Sequence, residues 1–203
     1  MPRLGRLPQS RHVTVNIDQH VGLIERQLKK SLADAETRQL AIKIVSGKVV
    51  WRSPRKGAAE VPMVEAWGGW YNVPEDNLKP CPPRVDLCEI EMIWNFIVEN
   101  CRYVFDTTNV DVFSTAQATL EAGGGDCDDA TVLFAALLMS VGFQVKARVI
   151  STPDSPDEWV HIYPLVGLPK AGPKHWIPLD CTVTGSQPGW EYDQIAKVRD
   201  YNF

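Results

Sequence analysis

The side chain of this sequence best suited to nucleophilic chemistry is Cys127. It follows three glycines at 123–125 and precedes a strongly apolar run at 130–141 that has the composition of a buried helix. Backbone N–H groups in the first turn of a helix have no intrahelical acceptor and lie at the positive end of the helix dipole. Such a position favours a thiolate over a thiol. The sequence therefore predicts a nucleophilic cysteine at the first turn of a buried helix.

A histidine and an aspartate follow the cysteine in the order of a base and its orienting acid. His161 lies in Glu-Trp-Val-His-Ile-Tyr, and Asp180 ends Trp-Ile-Pro-Leu-Asp. Both segments alternate like strands, and paired side chains of adjacent antiparallel strands lie about 5 Å apart. His161 would take the thiol proton and later protonate the leaving amine. Asp180 would fix the imidazole tautomer and stabilise the imidazolium.

Each of these residues also has a purely structural interpretation. A lone cysteine is most often a small core residue, His161 could be a hydrogen-bonded strand histidine, and Asp180 could cap a turn. The occurrence of all three in order favours the catalytic interpretation. The remaining histidines belong to no motif and are expected at the surface; they are His12, His20 and His175.

Three carboxylates flank the cysteine at positions 126, 128 and 129. They suit a helix N-terminus, but they should raise the pKa of the Cys127 thiol and oppose its ionisation. Asp126 or Asp129 is expected either to cap the helix or to bind the strand that carries His161. A calcium site is disfavoured, because these acids lack the spaced oxygen ligands of calcium-binding loops.

The overall composition argues against several classes of protein. The chain has 203 residues, a net charge of −4 and no basic stripe, so nucleic-acid binding is not expected. The longest apolar run is too short to span a bilayer, and the basic N-terminus lacks the apolar core of a signal peptide. Five irregularly spaced cysteines argue against a secreted disulfide framework and for a reducing compartment, and no zinc-binding spacing occurs. We therefore expect a cytoplasmic protein that needs no metal or other cofactor.

Helical periodicity dominates the first part of the chain, and strand-like alternation dominates the last part. Helices are predicted after Asp18, after Asp34, from Asp86 to about residue 100, over 115–122 and from Cys127 onward. The helix from Asp86 would bury one apolar face that includes Leu87 and Val98. Strands are predicted at 49–51, 145–150, 159–165 and 176–179. Because helices precede consecutive strands, the predicted class is α+β with an antiparallel sheet.

Residues 48–87 differ in character from their surroundings. Six prolines fall between Pro54 and Pro83, and Ala-Trp-Gly-Gly-Trp-Tyr occupies 66–71. We expect an ordered loop region rather than a linker, because Trp67, Trp70 and Tyr71 need side chains to pack against. A binding surface formed by these aromatic residues is the alternative.

The motifs resemble the transglutaminase-like superfamily of the papain-like fold. The similarity lies in Gly-Asp-Cys-Asp-Asp at 125–129, in the histidine strand, in the Trp-Ile-Pro-Leu-Asp ending and in Tyr-Val-Phe-Asp at 103–106. It covers about residues 86–182, and the Gly-Asp-Cys-Asp-Asp version is similar to the microbial and phage-encoded branch. The resemblance implies a core at 86–203, in which the nucleophile helix packs on an antiparallel sheet. Residues 1–85 would form an extension of helices and a loop region rich in proline and tryptophan.

The resemblance also implies roles for individual residues. Cys127 matches the nucleophile, His161 the base and Asp180 the orienting acid. The family places an aromatic or amide side chain near the oxyanion, and the candidates for it here are Gln117 and Trp94.

Two classes of function follow from this pattern. The first is cysteine-dependent acyl transfer on amide bonds of a peptide or protein substrate, with peptidase, deamidase and transglutaminase outcomes all open. The second is a non-enzymatic assembly module, for example in a phage particle, because a fold does not guarantee an activity. The second class would bring other virion or assembly proteins as partners and a location in the virion or in the bacterial host cytoplasm.

Overall fold

The computed structural model describes residues 16–104 and 112–203. These ranges contain five helices: α1 (Ile17–Ala33), α2 (Ala35–Val45), α3 (Asp86–Asn100), α4 (Ala116–Ala122) and α5 (Cys127–Ser140). They also contain nine strands: β1 (Val50–Arg52), β2 (Val61–Ala66), β3 (Gly69–Asn72), β4 (Arg102–Tyr103), β5 (Gly124–Gly125), β6 (Val145–Ser151), β7 (His161–Leu168), β8 (His175–Pro178) and β9 (Lys197–Asn202). The α+β class with antiparallel sheets is confirmed.

The first two helices begin at side-chain caps close to the predicted positions. The Asn16 side chain accepts a hydrogen bond from the Asp18 N–H, so α1 starts slightly earlier than a cap at Asp18 would place it. Asp34 caps α2 as predicted, by accepting a hydrogen bond from the Glu36 N–H. An N-cap oxygen of this kind satisfies one of the unpaired donors of the first turn. Each helix start is therefore encoded locally in the sequence.

The main sheet has the strand order β8-β7-β6-β9, and all its neighbours are antiparallel. Its register pairs Ile150 with His161 at the start of β7. Helix α5 packs against β7, α1 and α2, and its side chains from Thr131 to Leu138 are all buried. The helix that carries Cys127 is thus the central element of the core.

Strand β9 was not predicted from the sequence. It pairs with β6 along the edge of the sheet, where five of its six residues are exposed. Its sequence, Lys-Val-Arg-Asp-Tyr-Asn, is largely charged or polar, which is common on edge strands. Main-chain hydrogen bonds to β6 hold β9 in place. Because its own sequence has little alternation of apolar and polar residues, the strand pattern was not recognised.

The region at 48–87 is ordered, as predicted, but it contains two strands beyond the one predicted at 49–51. The strands β1, β2 and β3 form an antiparallel sheet, and the two-residue turn Trp67-Gly68 joins β2 to β3. Both turn residues have positive φ, at 48° and 73°, as a tight hairpin with the usual strand twist requires. Tryptophan is an unusual residue for the first of these positions, so the turn signal was missed.

Each of the three aromatic residues of this hairpin has a packing or hydrogen-bonding partner, as expected. Tyr71 is buried, and the Trp67 indole N–H donates to Asp34 Oδ2 at 2.6 Å. Trp70 is half-buried, with the Arg52 guanidinium 4.1 Å from its ring centroid. The hairpin is therefore fastened to the start of α2.

Two expectations about α3 need correction. Leu87 and Val98 are exposed, because burial follows a narrower stripe of the helix centred on Ile90–Ile97. The structure also contains a disulfide between Cys81 and Cys88, which joins the loop before α3 to its first turn. The odd number of cysteines concealed this single local pair.

Among the described residues, no helix is long and apolar enough to cross a membrane.

Candidate active site

The start of α5 is built by a glycine pair and an aspartate cap. Gly124 and Gly125 form β5, which runs parallel to β4 and pairs Arg102 with Gly124. A Cβ atom on Gly124 would lie 2.1 Å from the Arg102 carbonyl oxygen, so only glycine allows the two strands to approach this closely. Asp126 then caps the helix by accepting hydrogen bonds from the N–H groups of the second and third helical residues. These contacts fix Cys127 as the first residue of α5.

The Cys127 thiol is enclosed between α5, α1 and β7. It is 1% exposed and shares a cluster of buried apolar residues with Val21 and Ile24 of α1 and with Ile162 of β7. Ile162 follows His161 directly in the chain, so Cys127 packs against the strand that carries the predicted base.

The thiolate that the helix start was expected to favour is not the preferred state of the folded protein. Burial raises the pKa of the Cys127 thiol well above its usual range, and the carboxylates of Asp128 and Asp126 raise it further. The Ile162 backbone N–H acts in the opposite direction but is outweighed. The effect of burial on the thiol pKa is therefore larger than that of the helix dipole. A base must remove the thiol proton before the sulfur can act as a nucleophile.

His161 and Asp180 form a buried hydrogen-bonded pair. His161 Nε2 lies 2.7 Å from Asp180 Oδ2, and each residue is 2% exposed. The other carboxylate oxygen, Oδ1, accepts from the Thr182 N–H at 3.0 Å and from the Thr182 hydroxyl at 2.7 Å. Burial by itself would raise the pKa of Asp180, but His161 and the bonds from Thr182 lower it below its ordinary value. Asp180 thus acts both as the partner of His161 and as the cap of a local turn.

Two tyrosines flank the His161 ring, each with a centroid distance of 5.6 Å. The Tyr163 hydroxyl donates to Glu191 at 2.6 Å, and Glu191 also accepts from Arg148. The Tyr192 hydroxyl is buried beside Asp180 and Thr182 but makes no hydrogen bond of normal geometry with any of the described residues. Tyr192 was not singled out from the sequence, because it lies in a loop without a recognisable motif.

A second buried histidine–aspartate pair lies on the other flank of the cysteine. His20 of α1 is 6% exposed, and its Nε2 lies 3.0 Å from Asp128 Oδ1 and 3.0 Å from Oδ2. The prediction that His20 lies at the surface was therefore wrong. His175 is exposed as predicted, and His12 lies outside the described residues. The only local sign that His20 is buried was its position one residue before Val21, a buried residue of an amphipathic helix.

Neither candidate for the oxyanion side chain forms a recorded hydrogen bond with Cys127 in the described part of the chain. The Gln117 amide donates to Glu121 Oε1 of its own helix at 2.9 Å. Trp94 is buried against Phe134, with ring centroids 5.6 Å apart. Phe134 lies about two helical turns beyond Cys127 in α5. A backbone donor is closer at hand, because the Cys127 N–H is at the helix start and needs no partner within the helix.

The remaining free cysteines of the described residues, Cys101 and Cys181, are partly buried. Burial raises the pKa of Cys101 to about 12 and raises that of Cys181 further. Among residues 16–104 and 112–203, no three histidine, cysteine or acidic side chains are grouped to hold a metal ion. Part of the segment at 103–106 that contributed to the resemblance lies outside the described residues.

A comparison with known protein families gives one match. The chain matches the model of the transglutaminase-like superfamily over residues 79–181, just over half of its length. The matched segment contains Cys127, His161 and Asp180, whereas His20 and Tyr192 lie outside it. The comparison with curated proteins gave no match.

Proposed function

The chain belongs to the transglutaminase-like superfamily, and from this premise we propose that it catalyses acyl transfer on amide bonds of a peptide or protein substrate, with Cys127 as the nucleophile. Cysteine-dependent acyl transfer or proteolysis is the general chemistry of this superfamily. The observation that carries the proposal is the buried hydrogen bond between His161 and Asp180. The proposed base thus has a carboxylate partner, and the residue after it in β7, Ile162, shares an apolar cluster with Cys127.

The proposed reaction assigns each residue one task. His161 removes the thiol proton through Nδ1, since its Nε2 is engaged with Asp180. The sulfur attacks the substrate carbonyl, and the resulting imidazolium is stabilised by Asp180. When the C–N bond breaks, His161 returns its proton to the leaving nitrogen and a thioester remains on Cys127. Water or an amine then attacks the thioester, and His161 accepts its proton. The C–S bond breaks, the acid or the new amide leaves, and His161 returns the proton to the Cys127 sulfur.

The negative charge on the substrate oxygen also requires a donor. The Cys127 backbone N–H is our first candidate, because it is at the positive end of α5 and its helix provides no acceptor for it. Gln117 and Trp94 remain proposals for a side-chain donor. Both would need to reorient when substrate binds, because Gln117 bonds to Glu121 and Trp94 packs on Phe134.

One observation favours the alternative of a non-enzymatic assembly module. The carboxylates of Asp126 and Asp128 beside a buried thiol oppose ionisation of Cys127, and a module that had lost its activity could retain such a site. The intact hydrogen bond between His161 and Asp180 favours the enzyme.

The test of the proposed function is acyl transfer by the Cys127→Ala variant. We would measure hydrolysis of glutamine-containing peptides and incorporation of a fluorescent amine into a protein mixture. Loss of the nucleophile should reduce both rates by several orders of magnitude. The stability should change by only about 1–2 kcal/mol, which a thermal melt resolves. Cys101→Ala is the matched control, because it removes another free thiol and should leave activity unchanged.

The same variant decides between the two functions. Activity in Cys127→Ala equal to that of the wild type would refute the role of Cys127 as nucleophile. If neither protein is active, and Cys127→Ala supports the assembly or growth of its host system as well as the wild type, the assembly module is the better account.

A further inference from the structure

His20 and Asp128 form a buried hydrogen-bonded pair that the proposed reaction does not use. The imidazole Nε2 is 3.0 Å from each carboxylate oxygen, which is a close, two-oxygen contact. The side chains are 8% and 4% exposed, so the pair is shielded from water and salt. At such a site a protonated imidazole and a carboxylate attract each other much more strongly than at the surface.

This pair lies directly beside the proposed nucleophile. Asp128 follows Cys127 in the first turn of α5, and its Oδ1 is 4.0 Å from the cysteine sulfur. Of the charged groups that act on Cys127, Asp128 has the largest effect, and it opposes loss of the thiol proton. Any group that offsets the charge of Asp128 therefore assists ionisation of Cys127.

His20 is held in this position by the packing of α1. Its neighbour Val21, together with Ile24, shares a cluster of buried apolar residues with Cys127 and Val132. The Phe113 ring packs edge-on against the His20 ring, with centroids 5.0 Å apart. The residue thus comes from a helix outside the matched family segment and reaches the first turn of α5.

We propose that His20 is a positioning residue of the reaction, which in its protonated form offsets the charge of Asp128 and so allows Cys127 to give up its proton to His161. This inference rests on the proposed function, since it gives His20 a role only if Cys127 reacts. It gives helix α1 a part in the chemistry. It also explains how Cys127 could react although the Asp128 carboxylate lies beside its thiol.

Other titratable groups face the same sulfur and must be considered in any pH measurement. They come from the helix start, from β4 and from the loop after β8, and they are Asp126, Tyr103, Asp180 and Tyr192. His161 of β7, the proposed base, is bonded to Asp180. Asp126 also accepts a hydrogen bond from the Asp128 backbone N–H, whereas His20 contacts the Asp128 carboxylate. Because His20 bonds this carboxylate directly, its substitution should act on the thiol mainly through Asp128.

The test measures alkylation of Cys127 by iodoacetamide from pH 5 to pH 10, with peptide mapping to separate Cys127 from the other thiols. His20→Gln keeps a hydrogen-bond donor for Asp128 but cannot carry a positive charge. We expect its alkylation midpoint to move upward and its rate near pH 7 to fall about tenfold, the equivalent of one pKa unit. Asp128→Asn removes the opposing charge and should move the midpoint downward by a similar amount.

The double variant His20→Gln with Asp128→Asn shows whether His20 acts through Asp128. We expect it to behave like Asp128→Asn alone, because two residues in one network give non-additive effects. If the role of His20 is purely structural, His20→Gln should lower the melting temperature without moving the alkylation midpoint of Cys127. If His20→Gln does not fold, the Asp128→Asn protein still tests the effect of the carboxylate.

Several results would overturn the inference. One is an alkylation midpoint that does not change in either single variant, and another is an unchanged midpoint in Asp128→Asn alone. A third is a midpoint shift caused by His20→Gln that persists in the double variant. These results leave the proposed function intact, provided that Cys127 is labelled in the wild type. Absence of label on wild-type Cys127 up to pH 10 would instead overturn the proposed function, and the inference with it.

Discussion

His161 Nε2 and Asp180 Oδ2 lie 2.7 Å apart in the interior of the protein, although 19 residues separate them in the chain. The antiparallel pairing of β7 with β8 creates this proximity, because Leu165 opposes Pro178 and the chain then continues back towards the start of β7. The pair depends on sheet register, and a slip by one residue would turn one of the two side chains to the other face.

The first prediction concerns the stability contributed by this pair. A carboxyl group whose folded pKa is lowered stabilises the fold above its unfolded pKa, and this contribution is lost as the pH falls through the folded pKa. The pKa of Asp180 lies below its ordinary value of 3.8, because the bonds from His161 and Thr182 outweigh the effect of burial. Asp180→Asn should cost about 1–3 kcal/mol near pH 7. The difference from the wild type should shrink below about pH 4.

Urea titrations at pH 3, 5 and 7 measure this effect. Asp157→Asn is the control, because Asp157 pairs with Lys197 at the surface and its side chain is 93% exposed. Its loss should change the free energy of unfolding by less than about 1 kcal/mol at each pH. An Asp180→Asn penalty that does not depend on pH would contradict the assignment of an ionised Asp180.

The second prediction concerns the close approach of β4 and β5. Gly124→Ala should destabilise the protein by about 2–4 kcal/mol, because its Cβ atom meets the Arg102 carbonyl oxygen and its φ is 159°. Gly142→Ala is the matched control. Gly142 also has positive φ, at 96°, but a Cβ atom there has no neighbour within 4 Å. Thermal melts of the two variants should therefore differ, and equal losses would show that the close approach is unimportant.

The third prediction separates the two tyrosines that flank His161. Tyr163→Phe removes a hydroxyl that donates to Glu191 at 2.6 Å, and it should cost about 1–3 kcal/mol because a charged acceptor loses its partner. Tyr192→Phe removes a buried hydroxyl without a normal hydrogen bond, so it should be neutral or slightly stabilising. Chemical denaturation of both variants measures the contrast. A larger loss in Tyr192→Phe would mean that its hydroxyl has a strong partner in solution.

The parts of the fold that were predictable from sequence are those with local signals. The cap at Asp34, the start of α5 at Cys127, and the strands β7 and β8 follow from capping residues, glycines and apolar alternation. The cysteine, the histidine and the aspartate were identified together because each belongs to a short motif. Whether they act as a catalytic triad remains a prediction.

The missed features depend on contacts between distant segments. His20 looks like a surface residue of an amphipathic helix, and its partner Asp128 is 108 positions away. Strand β9 is polar and is recognised only by its pairing with β6. The raised pKa of Cys127 results from the depth at which α5 is buried, which the dipole argument for a helix start does not include.

The most direct test of the central claim is the rate at which Cys127 is acylated by an activated ester in wild type and in His161→Gln. The modified residue would be located by peptide mapping, and His175→Gln is the control because His175 is exposed. If His161 is the base for Cys127, wild type and control should acylate Cys127 at the same rate. His161→Gln should then be slower by about 10²–10⁴-fold near pH 7. Equal rates in His161→Gln and wild type, or acylation of Cys101 or Cys181 in place of Cys127, would contradict it.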